Sequence, residues 1–160
     1  MNILVLCTGN SARSILLEVL VNHLGGGRLT AYSAGSHPTG LVNPFSLKVL
    51  TAHGHPVDGL RSKSWDEFAV PGAPDMQAVI TVCASAAGET CPYWPGAPVT
   101  SHWGVDDPAA VTGSGAQKAA AFEKAYGILR RRAEALLSSR IDGRDWLALK
   151  QTLDLIGELQ

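Results

Sequence analysis

Residues 2–6, Asn-Ile-Leu-Val-Leu, form a short apolar run that passes through Cys7, Gly9 and Asn10 into Arg13 and a helical pattern. No other stretch narrows the fold as much. A continuous apolar run is expected of a strand covered on both faces. A covered strand that leads straight into a helix belongs to a parallel sheet flanked by helices. The rest of the chain repeats the alternation. A helix is expected from about Ser14 to Leu24, with Leu17, Leu20, Val21 and Leu24 on one side and the glycines 25–27 ending it. "RLTAYSAG" reads as a second strand, and Asn43 followed by Pro44 opens a second helix that Gly54 stops. Ser64 with Glu67 matches a capping box and starts a short helix, and "QAVITVC" is a third strand. Residues 84–98 read as a long loop and "PVTSHWG" as a fourth strand. Ser114 with Gln117 is a second capping box, opening a long helix with Phe122, Ala125, Leu129, Ala133 and Leu136 on one face. Asp142 is a candidate cap for a last helix with the stripe Trp146, Leu149, Leu153, Ile156 and Leu159.

The expected fold class is therefore α/β: a central, mainly parallel four-stranded sheet sandwiched between helical layers, plus an extra C-terminal helix. The 160 residues amount to about one domain. Residues 1–140 are expected to form it, with 141–160 as its helical extension. A net charge of −1 gives no basic footprint for nucleic acid or an anionic membrane. The apolar runs fall far short of a membrane span. The opening "MNILVL" has no basic flank and no cleavage site, so it reads as a strand rather than a signal peptide, and a cytoplasmic location is expected. The three cysteines, Cys7, Cys83 and Cys91, are an odd number, which argues against a structural disulfide framework.

In parallel sheets ligands sit beyond the carboxyl ends of the strands. Cys7 and Cys83, 76 positions apart, both follow apolar strands directly and are expected on that edge. The loop from Cys7 to Arg13 has the chemistry for an anion. A helix N-terminus presents backbone N–H groups and a partial positive charge. Gly9 and Asn10 tolerate the angles that turn N–H groups inward, so Thr8, Gly9, Asn10, Ser11, Ala12, Arg13 and Ser14 form a candidate oxyanion nest. Arg13 adds a planar fork suited to two oxygens of a tetrahedral ion. The same positive setting favours a thiolate at Cys7, making it a candidate nucleophile. Ser11 and Ser14 are candidate hydrogen-bonding partners of the thiolate or the loop.

"VLCTGNSARS" resembles the loop of the low-molecular-weight tyrosine phosphatase superfamily, and the chain is similar, more narrowly, to the arsenate reductases built on that fold. The correspondence runs from Met1 to about Leu137 and includes "YSAG" at 32–35, "VNP" at 42–44, "ITVC" at 80–83 and "HWGVDDPA" at 102–109. One departure is visible: the family often has a cysteine just before the arginine, and Ala12 stands there. The resemblance implies that Asp107, beside Pro108, is the general acid for a departing oxygen. It implies three catalytic cysteines. Cys7 attacks arsenate, Cys83 attacks the resulting adduct with loss of arsenite, and Cys91 takes the disulfide over to Cys83. An external reductant then restores the thiols, thioredoxin by the three-cysteine pattern or a small thiol with glutaredoxin. No tightly bound cofactor and no structural metal is expected. Phosphate and sulfate are expected substrate analogues.

Other readings compete with this one. A low-molecular-weight phosphatase would use Cys7, Arg13 and Asp107 and have no need of Cys83 and Cys91. A non-catalytic oxyanion-binding protein would use the nest alone. Cys83, Cys91 and His102 fit no compact zinc spacing. His102 reads as a structural residue shaping the acid loop. Asn10, Glu18 and Ser33 resemble potassium-binding positions of some family members, but Ser64 stands where an acidic partner is expected. The last helix must bury its stripe on its own domain or in a homodimer.

Overall fold

The computed structural model describes residues 1–83, 94, 97–141 and 143–160. Strands β1 (Asn2–Cys7), β2 (Thr30–Gly35), β3 (Ala78–Thr81) and β4 (Val99–His102) form a four-stranded sheet in the order β2-β1-β3-β4. Every pairing is parallel. Helices α1 (Arg13–Leu24), α2 (Pro44–Ala52), α3 (Gly115–Ser138) and α4 (Trp146–Gly157) follow the expected alternation.

The central strand explains its own composition. Ile3, Val5 and Cys7 point into a core shared with all four helices, while Leu4 and Leu6 enter a second, smaller cluster with Ala34, Met76 and Val79. Tyr32, Trp65, Phe68 and Trp94 pack over that second face, with Trp65 and Trp94 ring centroids 6.1 Å apart. Helices, sheet and this thinner cover make the three layers. From β1 the chain crosses to β2 on one side and later to β3 on the other, so the carboxyl ends of β1 and β3 flank a topological switch point.

Local signals act largely as the sequence indicates. The Asn43 side chain accepts from the Phe45 N–H and Pro44 opens α2, while Ser114 and Gln117 form both halves of their capping box. Four details differ. α1 is buried almost all round from Arg13 to Val21, so it carries no single stripe, and Leu24 ends exposed. Residues Trp65–Phe68 form a single 3-10 turn; Ser64 caps it through the Asp66 N–H, while Glu67 turns away to pair with Arg61. Asp145 caps α4 by accepting from the Ala148 N–H at 3.0 Å, whereas Asp142 lies outside the described residues. In α4 only Leu149, Leu153 and Ile156 are buried, against Trp103 and α3; Trp146 is 56% and Leu159 42% exposed. The buried part of the stripe packs on the chain itself, the first of the two expectations for this helix. Among the described residues, no helix is long and apolar enough to cross a membrane.

A histidine cluster ties α1, the α2 exit and α3 together. His55 is 8% exposed, with Nδ1 2.7 Å from His23 Nδ1 and Nε2 2.7 Å from the Tyr126 hydroxyl. His53 stacks on Tyr126 and pairs with Glu123. Burial first, then the neighbouring His23, His53 and Arg130, holds the His55 pKa below the ordinary 6.5. The folded state therefore takes up this proton less readily than the unfolded chain. The stability contributed by neutral His55 is complete above pH 6.5 and is lost as the pH falls from there through the lowered folded value. The melting temperature should fall from pH 7.5 to pH 5.5, and fall less in His55→Gln, as read by thermal unfolding at both pH values.

Candidate active site

The loop between β1 and α1 is shaped from outside. Its carbonyls are drawn outward: Cys7 O accepts from Ser36 N at 3.3 Å, Thr8 O from His37 N at 2.9 Å and Gly9 O from Thr39 N at 3.0 Å. Ser62 Oγ adds a second bond to Gly9 O at 3.0 Å, and Ser11 O accepts from Asn43 N and Ser46 Oγ, each at 3.0 Å. This is the structural use of the "VNP" segment: the first turn of α2 braces the loop. With the carbonyls turned out, the loop's N–H groups are left to face inward. No side chain caps α1, whose N-cap position is Ala12, and no acidic residue sits in its first turn. An uncapped helix N-terminus keeps its donors and its positive potential for an anion.

Asn10 organises the interior. It adopts a left-handed backbone, φ 44°, which asparagine tolerates better than most residues. Its N–H lies 3.2 Å from Cys7 Sγ. Its side-chain Nδ2 donates to Ser14 Oγ and to Ser33 Oγ, both at 2.9 Å, and its Oδ1 accepts from Lys63 N at 2.9 Å. Ser14 Oγ lies 2.9 Å from Cys7 Sγ. Either group can donate in that bond while Cys7 is a thiol; once Cys7 is a thiolate, the Ser14 hydroxyl is the donor. Cys7 is 4% exposed, at the floor of the loop.

Arg13, also buried, turns its guanidinium toward the segment after β4. Nη1 donates to Val105 O at 2.8 Å, and Nη2 lies 3.5 Å from Asp107 Oδ2. Asp107 Oδ1 accepts from Ala109 N at 3.1 Å, which caps the 3-10 turn Pro108–Ala110. The carboxyl is thus held on both sides, with its side chain still 29% exposed. His102 Nδ1 lies 2.8 Å from Thr81 Oγ1, a structural link between β3 and β4.

Cys83 lies just past β3, one residue beyond Val82, and is fully buried. The β1–β3 register pairs Leu6 with Thr81, and Val82 N donates to Leu6 O at 3.0 Å. That sets Cys7 opposite Val82, so Cys83 lies one residue farther along the chain beyond β3. Cys7 and Cys83 belong to the same buried core cluster. Cys91 lies outside the described residues.

Two further residues shape the site from outside the loop. Gly35, the residue paired with Cys7 in β2, allows the loop to lie against the strand: a Cβ there would fall 2.4 Å from Thr8 O and 3.0 Å from Asn10 N. Lys63 is the other. Its Nζ donates to Ser33 Oγ at 3.4 Å and lies 3.7 Å from Glu18 Oε2, while Ser33 Oγ donates to Glu18. Burial is the leading cause that pushes the Glu18 pKa up and the Lys63 pKa down. Their mutual attraction opposes both shifts. Lys63 thus stands among Asn10, Glu18 and Ser33, the positions that resemble a potassium site. Among the described residues, no group of three or more histidine, cysteine or acidic side chains could hold a metal.

A buried cysteine ahead of an uncapped helix, with an arginine that reaches a carboxyl from the segment after β4, is the arrangement to set against known proteins. The low molecular weight phosphotyrosine protein phosphatase family matches residues 2–145, and the chain belongs to that family. It is 34% identical over 127 residues to an arsenate reductase of Halalkalibacterium halodurans, covering 79% of this chain and 88% of the relative. Among solved structures it resembles the arsenate reductase of Archaeoglobus fulgidus, with a TM-score of 0.67 at 25% identity over 86% of this chain and 99% of that one. It also shares the fold of a thioredoxin-dependent arsenate reductase of Corynebacterium glutamicum, with a TM-score of 0.55 at 24% identity over 86% of this chain and 63% of that one.

Proposed function

We propose that this chain is an arsenate reductase that works in the cytoplasm through a relay of Cys7, Cys83 and Cys91. The observation that carries the reading is the pair of hydrogen-bonding groups on the Cys7 sulfur, the Asn10 N–H at 3.2 Å and the Ser14 hydroxyl at 2.9 Å, with Cys83 just past the end of the adjacent strand. Donors on a sulfur favour the nucleophilic form of a thiol. The nest of residues 8–14 and the Arg13 fork seat the arsenate. Cys7 sulfur attacks arsenic, and Asp107 delivers a proton to the oxygen that leaves as water. The Cys83 thiolate then attacks the Cys7 sulfur. The sulfur–arsenic bond breaks and its electron pair stays on arsenic, which leaves as arsenite; two thiols have become one disulfide. Cys91 displaces Cys7 from that disulfide and regenerates the nucleophile. A thioredoxin-type dithiol takes the Cys83–Cys91 bond and supplies the two electrons. Residues 1–140 carry this chemistry as one domain, with 141–160 as its helical extension.

The test is to mix fully reduced protein with arsenate and map disulfides by mass spectrometry. One Cys83–Cys91 bond should appear for each arsenite released. Cys83→Ser and Cys91→Ser should each lose multiple turnover with thioredoxin as reductant. Turnover that survives either change would overturn the relay. Hydrolysis of phosphate esters without arsenite formation would instead make the chain a phosphatase using Cys7, Arg13 and Asp107.

A further inference from the structure

Three consecutive carbonyls lead into the turn that carries Asp107, and all three end on guanidinium groups. Arg13 takes Val105 O. Arg132, from α3, takes the two before it, donating from Nη1 to Trp103 O at 2.9 Å and to Gly104 O at 3.3 Å. Arg132 is 1% exposed, and its hydrogen bonds run to backbone carbonyls. A guanidinium buried this way needs negative potential from somewhere. Its Nε supplies the clue, donating to Leu159 O at 2.8 Å, just past the C-terminal end of α4. A helix C-terminus carries a partial negative charge from its unspent carbonyls. One buried cation thus joins the end of α4 to the base of the acid loop.

α4 grips the same segment directly. Trp103 Nε1 donates to Leu153 O, and Ser101 Oγ donates to Asp154 Oδ1, both at 2.8 Å. Gly157 lies so close that a Cβ there would fall 2.7 Å from Trp103 Cδ1 and 2.9 Å from His102 O. The helix spans Trp146–Gly157, beyond the residues 2–145 that the family matches.

We propose that α4 and Arg132 form a brace that sets the position of the acid loop, with Arg132 a positioning residue that acts through Asp107. The inference rests on the reading of Asp107 as the acid for the departing oxygen. The brace holds backbone rather than substrate, so its loss moves the carboxyl and leaves the nest in place.

The test measures arsenite formation by reduced full-length protein, in Arg132→Met alone and combined with Asp107→Asn. Displacing a reacting group by about 1 Å costs up to about 100-fold in rate. Arg132→Met should therefore lower kcat about 10- to 100-fold, with the KM for arsenate within about twofold of wild type. Arg132→Lys should recover part of the loss. The double variant should be no slower than Asp107→Asn alone, because the brace has nothing left to position. A general loss of structure would instead lower both backgrounds by the same factor. Should Arg132→Met not fold, Gly157→Ala, which presses α4 against Trp103, is read in the same cycle. Additive losses in the cycle, or an unchanged kcat in the folded variants, would overturn the brace. Failure of the wild type to form arsenite would overturn the reaction on which it rests, a result visible before any variant is compared.

Discussion

Asp107→Asn should slow arsenite formation by about 100- to 10,000-fold, the range that a positioned general acid contributes. The substitution isolates the proton. Asparagine keeps the side-chain oxygen that accepts from Ala109 N, so the Pro108–Ala110 turn keeps its cap. What disappears is the deliverable hydrogen and the negative partner 3.5 Å from Arg13 Nη2. With that partner neutral, the guanidinium is freer to turn to an anion, so phosphate or sulfate should bind as tightly as to wild type or more so. Stopped-flow arsenite release and calorimetric anion titration separate the two quantities. A rate within tenfold of wild type would remove Asp107 from the chemistry. A loss of anion binding equal to the loss of rate would make it part of the seat instead.

Gly35→Ala is expected to cost about 100-fold in rate and, unlike Asp107→Asn, to weaken anion binding as well. One methyl group would stand 2.4 Å from Thr8 O, 3.0 Å from Asn10 N and 3.1 Å from Asn10 Cβ. These are backbone and fully buried neighbours that cannot swing aside. The loop must lift from β2, and Asn10 with it, which pulls the N–H off the Cys7 sulfur and slackens the bond to Ser14. Overpacking of this kind costs about 1–3 kcal/mol of stability, so the protein should still fold. The contrast is Gly40→Ala: that glycine has φ 83°, but a Cβ there meets nothing within 4 Å. It should lose a little stability through its strained backbone and none of the activity. An unchanged rate in Gly35→Ala would mean that the close approach of β2 does not set the loop.

The parts of the site that could be read from the sequence are those built by neighbours in the chain. Cys7, the glycine and asparagine turn and the start of α1 follow one another, and their chemistry follows from strand, turn and helix rules. The same holds for Asn43-Pro44 and for the Ser114 capping box. Contacts between distant segments leave no periodic trace. Arg13 meets Val105 across 92 positions, and Lys63 meets Ser33 across 30. Within "RSKSW" a lysine looks like any solvated loop cation. Nothing marks Arg132 as buried either, since it follows two other arginines on a long helix. The cap of α4 was legible in kind, an aspartate before an apolar stripe, but the stripe did not say which aspartate. Gly35 reads as the end of a strand; its necessity depends on a loop 25 residues earlier folding back onto it.

The lysine beneath the loop has a consequence for how such a protein answers its surroundings. An amine carried on the chain comes with every copy of it, whereas a borrowed ion comes and goes with its concentration. The expected result is one melting temperature in sodium and in potassium buffer at equal ionic strength; a higher value in potassium alone would mean that an alkali-metal ion binds at Glu18 and Ser33 after all.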